Sequence, residues 1–154
     1  MKHLVGIDPG KTSGWAIVTV ALSPKLKAYG QEVIDFDTTC TAVLRGALEA
    51  ARVGRCVVAI EEQFIGVNKR SGIILAQNAG RWIEAAAELG CTPTMVHPAT
   101  WHAAELGFTS PSAALKKASI GKVKGLYKVA VTDHIADAIL IARWCAISVF
   151  SGKL

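Results

Sequence analysis

Residues 1–20 read MKHLVGIDPGKTSGWAIVTV. Two apolar runs, 3–8 and 14–22, flank a short glycine turn, and the first ends on an aspartate, Asp8. Runs of this length with so short a connection predict adjacent antiparallel strands. SPK at 23–25 marks another turn, and AYGQEVIDF at 28–36 predicts a third strand. The period then changes. TTCTAVLRGALEAAR has apolar residues at helical spacing, with Thr38 or Thr39 to cap it. CVVAI at 56–60 is wholly apolar and flanked by charge, the pattern of a central buried strand. Ser71 can cap a helix running to about Leu89, TPTMVH predicts a fifth strand, and short helices follow Pro98. A last helix spans Thr132 to about Phe150. The expected fold is α/β: a mixed five-stranded sheet, first antiparallel, then built from strand–helix crossovers, with helices on both faces.

Length and composition set bounds on this reading. The chain has 154 residues, 51% of them hydrophobic and 19% charged, which suits one domain over 1–154 with a real core. That balance excludes a disordered chain. Seventeen Lys and Arg against twelve Asp and Glu give a formal charge of +5, which permits a polyanionic partner. No leader and no membrane span is read, because the longest uncharged run, 89–104, is interrupted by Pro93 and Pro98. Cys40, Cys56, Cys91 and Cys145 are widely spaced and form no CxxC, so they read as reduced core thiols of a cytoplasmic protein.

The chemistry is expected from the acids. Two apolar runs end in carboxylates, LVGID in Asp8 and VVAIEE in Glu61 and Glu62. If those strands are parallel neighbours, Asp8 and Glu61 meet at their carboxyl ends, where reactive groups of α/β sheets gather. VTDHIADAILIAR adds Asp133, His134 and Asp137 on the last helix; Asp133 and Asp137 are four apart and His134 and Asp137 three apart, so either pair shares a face. Clustered carboxylates repel unless a cation lies between them. Hard divalent cations take oxygen ligands, and two ions about 4 Å apart stabilise both the attacking and the leaving oxygen of a phosphodiester. Taken singly, Asp8 fits a turn former, Glu61–Glu62 a solvated strand boundary and Asp133 a helix N-terminus; Asp137 lies a turn deeper, where solvation alone explains it less well.

GIDPGKTSGWAIV, VVAIEEQFIGVNKRSGIILAQNAG and DHIADAILIARW together resemble the RuvC-type Holliday-junction resolvases, and the three blocks span most of the chain. The resemblance implies an RNase H-like fold and metal-dependent cutting of branched DNA that leaves a 5′-phosphate and a 3′-hydroxyl. It places the first acid on Asp8, the second on Glu61 and the fourth on Asp137. His134 stands where the third acid usually falls, a departure that leaves Asp133 as a stand-in. On this reading Mg²⁺ or Mn²⁺, two ions per site, is the cofactor, and the imidazole favours Mn²⁺ relative to an all-oxygen set.

Basic residues mark the expected DNA contacts. Lys116, Lys117, Lys122, Lys124 and Lys128 fall in a stretch without acids before Asp133, a candidate phosphate ridge with Ser119, Gly121 and Gly125 to allow close approach. Lys11 in the first turn joins them. Phe64, Asn68, Lys69 and Arg70 follow the second acid, and the resemblance implies that Phe64 stacks at the crossover. Trp82 and Trp101 read as core or interface. The helix 71–89 has a wider apolar face than one sheet needs, and a four-way junction takes two symmetric cuts, so a homodimer through this helix is expected. Two alternatives compete: an ATPase of the actin and sugar-kinase core, which would need a second domain, and a non-catalytic branched-DNA module.

Overall fold

The computed structural model describes residues 2–35, 37–64 and 66–154. The element order is β1 (His3–Asp8), β2 (Thr12–Thr19), β3 (Leu26–Val33), α1 (Cys40–Ala50), β4 (Val57–Glu61), α2 (Lys69–Glu88), β5 (Thr92–Val96), α3 (Pro98–Leu106), α4 (Ser112–Tyr127) and α5 (Asp133–Phe150). The sheet order is β3-β2-β1-β4-β5. β1 is antiparallel to β2 and β2 to β3, while β1 is parallel to β4 and β4 to β5. This is the expected mixed RNase H-like sheet.

Side-chain alternation sorts the sheet into two cores. Val5, Ile7, Val58 and Ile60 face one way, onto Leu44 and Leu48 of α1 and Trp82, Ala85 and Ala86 of α2. Leu4, Ala16, Val18 and Ala59 face the other, onto Trp101 of α3, Val123 of α4 and the Ala136–Ala146 stretch of α5. The parity matters for the acids. Asp8 continues the Leu4–Gly6 row and Glu61 the Ala59 row, so both point to the α5 side.

At Gly6 and Gly14, α5 lies against the strands with no side chain between. A Cβ on Gly6 would overlap the Ala138 carbonyl and lie 2.8 Å from the Ala142 Cβ; one on Gly14 would overlap the His134 carbonyl and lie 3.0 Å from the Ile135 nitrogen. Only glycine permits this approach.

Some boundaries differ from the sequence reading. β3 runs two residues earlier than 28–36 and stops at Val33, because Asp35 Oδ1 accepts from the Asp37 and Thr38 amides in an Asx-type turn. Phe36, placed in that strand, lies outside the described residues. The cap of α2 is Asn68, not Ser71: Asn68 Oδ1 accepts from the Ser71 amide at 3.2 Å. The lysine-rich segment is one continuous 16-residue helix. The four cysteines are free and buried, as expected, and Cys56 and Cys91 place their sulfurs 3.7 Å apart. No described helix is long and apolar enough to cross a membrane.

Candidate active site

Parallel pairing of Ile7 with Ile60 brings the ends of β1 and β4 side by side, and Asp8 and Glu61 with them. α5 enters above them. Its N-cap Thr132 accepts from the Ile135 amide and donates to Gln31 Oε1 at 2.6 Å, which ties the helix start to β3. His134 Nδ1 lies 3.0 Å from Asp8 Oδ2, and Asp137 follows three residues later.

The turn behind Asp8 is held from below. Ser13 Oγ donates to the Gly10 carbonyl at 2.9 Å, Asn78 Nδ2 donates to the same carbonyl at 3.2 Å, and Trp82 Nε1 donates to Ser13 Oγ at 3.0 Å. Asn78 and Trp82 are four apart on α2, so one helix face grips the glycine turn. The turn anticipated from the sequence is therefore fixed by buried polar contacts that the local sequence does not announce.

The electrostatics show three acids competing for one place. Glu61 is pushed up to about 8, first by burial and then by Asp8 and Asp137, against the lowering donation from Trp101. Asp137 is pushed up to about 7 by burial and by Asp8 and Asp133, with Ser119 and His134 opposing. His134 is raised, above all by its hydrogen bond to Asp8. Protons thus take the role that the cluster otherwise requires of a cation. The buried Ser119 hydroxyl, which completes no hydrogen bond of good geometry, lies beside Asp137 and favours its charged form. Among the described residues no three His, Cys, Asp or Glu side chains stand ready to grip an ion without adjustment; the contacts are pairwise. The donor set itself, hard oxygens with one imidazole and a surplus of mutual repulsion, fits a divalent cation.

The two other candidate acids have different surroundings. Asp133 pairs with Lys116 at 2.9 Å, which holds its carboxyl below the usual range. Glu62 lines a groove with Phe64, Ala76, Ala79, Gly80, Ile83 and Met95, on the α2 side.

The expected DNA contacts separate into two groups. Lys11, Lys69, Arg70, Lys116, Lys117 and Lys124 are exposed. Phe64 is 64% exposed and meets His97 edge-on with ring centres 5.2 Å apart, so it is no core residue. Asn68 has its carbonyl engaged in the α2 cap. Lys122 departs from the expectation: its ammonium lies 2.7 Å from Glu105 Oε2 and also donates to the Glu105 carbonyl, because buried Glu105 demands a counter-charge. Arg143 completes that cluster.

Sequence reasoning missed two donors. Trp101 Nε1 donates to Glu61 Oε2 at 2.6 Å, and Ser119 sits beside Asp137. Trp101 and Glu105, the two buried residues of α3, stand four apart and so share a face, but that spacing does not show which strand the face meets.

The family model for crossover junction endodeoxyribonuclease RuvC matches residues 4–144. Among solved structures, Thermus thermophilus RuvC in complex with Holliday junction substrate shares 23% identity over 99% of this chain and 98% of its own, with a TM-score of 0.78. A further Thermus thermophilus RuvC structure shares 25% identity over 97% and 96%, with a TM-score of 0.75. A search of curated proteins returns no match.

Proposed function

Because the chain belongs to the RuvC family of crossover junction endodeoxyribonucleases, we propose that Asp8, Glu61, His134 and Asp137 are its catalytic, metal-holding residues and that it resolves Holliday junctions by two symmetric cuts. Divalent-metal dependence is general to the family; two Mg²⁺ or Mn²⁺ ions at this site are the finer reading. The observation that carries it is the parallel pairing that sets Asp8 and Glu61 on adjacent strand ends, with His134 at 3.0 Å from Asp8 and with Glu61 and Asp137 both pushed up by burial and by Asp8.

Asp8 is central, between Glu61 on the neighbouring strand and His134 and Asp137 on the helix. It would contact both ions, with Glu61 and Asp137 holding one each and His134 orienting Asp8 or serving as a ligand. When bound, such ions activate water for in-line attack on phosphorus and stabilise the leaving oxygen. The protein supplies partly buried side chains anchored on β1, β4 and α5.

The DNA would run over α4 and the start of α2. Gly121 and Gly125 have nothing within 4 Å of where a Cβ would stand, so internal packing does not require them. Beside exposed Lys117 and Lys124 they leave room for a phosphate backbone. Lys69 and Arg70 occupy the first turn of α2, where the helix dipole disfavours cations; a bound phosphate would offset that cost. Phe64 is exposed for stacking on an unpaired base.

Two symmetric cuts need two such sites, and a homodimer through 71–89 provides them. Ala79, Trp82, Ala85 and Ala86 serve the protein's own core, whereas Ile73 and Ile74 stay 49% and 43% exposed. Those outward apolar residues support the interface.

The test is cleavage of a synthetic four-way junction by the wild type and Asp8→Asn, with Mg²⁺ and with Mn²⁺. Wild type should cut with either ion, more strongly with Mn²⁺, and Asp8→Asn with neither. Equal cutting by both proteins would remove the site assignment.

A further inference from the structure

α3 is nine residues long and buries two of them, Trp101 and Glu105. They are four apart and share one face. An ordinary surface helix would present apolar groups there; this one presents two polar attachments. Trp101 is fully buried, and its single polar atom donates to Glu61 Oε2 at 2.6 Å. Packing alone would be met by phenylalanine. Glu105 receives Arg143 Nη1 at 2.7 and 2.5 Å on its two oxygens, and Lys122 Nζ at 2.7 Å. Arg143 belongs to α5, the helix that carries His134 and Asp137, and Lys122 to α4.

We propose that Trp101 is a positioning residue for the cleavage reaction: its indole N–H fixes Glu61 through Oε2, leaving Oε1 to face a cation, and Glu105 locks α3 to α5 so that the strand acid and the helix acids keep a common frame. The proposal rests on the reading of Glu61 as a metal ligand. A glutamate at a strand end has three rotatable bonds, and one short hydrogen bond from a buried ring removes most of that freedom. Outer-shell donors of this kind typically change metal affinity by roughly 10- to 100-fold when removed. Trp101 is fully buried and its one polar atom is spent on Glu61, so it acts through Glu61.

The experiment compares wild type, Trp101→Phe and Glu61→Gln. Mn²⁺ affinity is measured by calorimetry on metal-free protein, and junction affinity by fluorescence anisotropy without divalent ions. Trp101→Phe keeps the buried ring and loses the donor. It should weaken Mn²⁺ binding roughly tenfold or more while leaving metal-free junction affinity unchanged. Wild-type Mn²⁺ affinity in a folded Trp101→Phe overturns the proposal. If Glu61→Gln also binds Mn²⁺ normally, the site reading itself fails; if Glu61→Gln alone loses the ion, only the role of Trp101 fails. Should Trp101→Phe not fold, the ¹⁵N-indole spectrum of the wild type decides. One N–H resonance, displaced downfield, should move both on adding Mg²⁺ and in Glu61→Gln. Four unresponsive indole signals would refute the link.

Discussion

Glu61 and Asp137 carry their protons far into the neutral range because each is buried and each faces Asp8. A carboxyl whose pKa is higher folded than unfolded binds more protons in the native state, so its contribution to stability falls as pH rises. For Glu61 that window runs from the model-peptide value of 4.5 to about 8. His134, raised by Asp8, works in the same direction, since its stabilising charge is lost as pH passes its folded value. His3 and His102 are lowered by burial and oppose this only on the acid side of 6.5. Metal-free protein should therefore be less stable at pH 8.5 than at pH 5.5, by a few kcal/mol at roughly 1.4 kcal/mol per pKa unit, and should melt at a lower temperature there. Mg²⁺ should raise the melting temperature more at the higher pH. Calorimetry in buffers of different ionisation heat should detect proton release on Mg²⁺ binding near pH 7. A melting temperature indifferent to pH, and an ion effect equal at both values, would contradict this account. Replacing His134 by Ala tests the imidazole separately: its pH–rate profile should differ from wild type, and an identical profile and rate would remove the ligand role.

At the scale of elements, α4 combines two demands. Glycine inside an exposed helix costs about 1 kcal/mol relative to alanine, yet α4 has two, with open space around each. Gly121→Ala and Gly125→Ala should each raise stability by roughly 0.5–1 kcal/mol in urea melts while weakening junction binding in gel-shift titrations. Tighter binding would show that DNA does not approach this face. The lysines of the helix should divide as their contacts do. Lys124→Ala should lower the salt dependence of junction binding by about one ion with little change in stability. Lys122→Met, which leaves buried Glu105 to Arg143 alone, should cost roughly 3 kcal/mol in the same melts. The sequence separates these lysines poorly, since all five sit in one acid-free run. It showed the strands, the turn and the acid-bearing ends well, because alternation, glycine and apolar runs are local signals. Asp8 and Glu61 were legible for that reason. The Trp101–Glu61 bond joins residues 40 apart in sequence through a helix whose orientation is set by Glu105, Lys122 and Arg143. No local pattern encodes such a meeting. The cap at Asn68 was missed for the opposite reason: two capping side chains, Asn68 and Ser71, lie within four residues, and the helix geometry chose between them.

For the whole molecule the decisive question is how two cuts are coordinated. Ile73 and Ile74 are exposed apolar residues of α2, the helix proposed as the interface. Light scattering at micromolar concentration should give a mass near twice 16.3 kDa. Ile73→Glu combined with Ile74→Lys should yield a monomer that nicks one strand of a junction without pairing the cuts. A wild-type monomer would send the search for coordination elsewhere. The seating of α5 on Gly6 and Gly14 has a separate consequence. Backbone rests on backbone there, so the gap between the strand-borne and helix-borne acids is a thickness of polypeptide, not the sum of two side-chain lengths. Substitutions can accumulate in either apolar layer and soften or stiffen the protein while the acid cluster keeps its dimensions. Only a change at the two glycines would widen it.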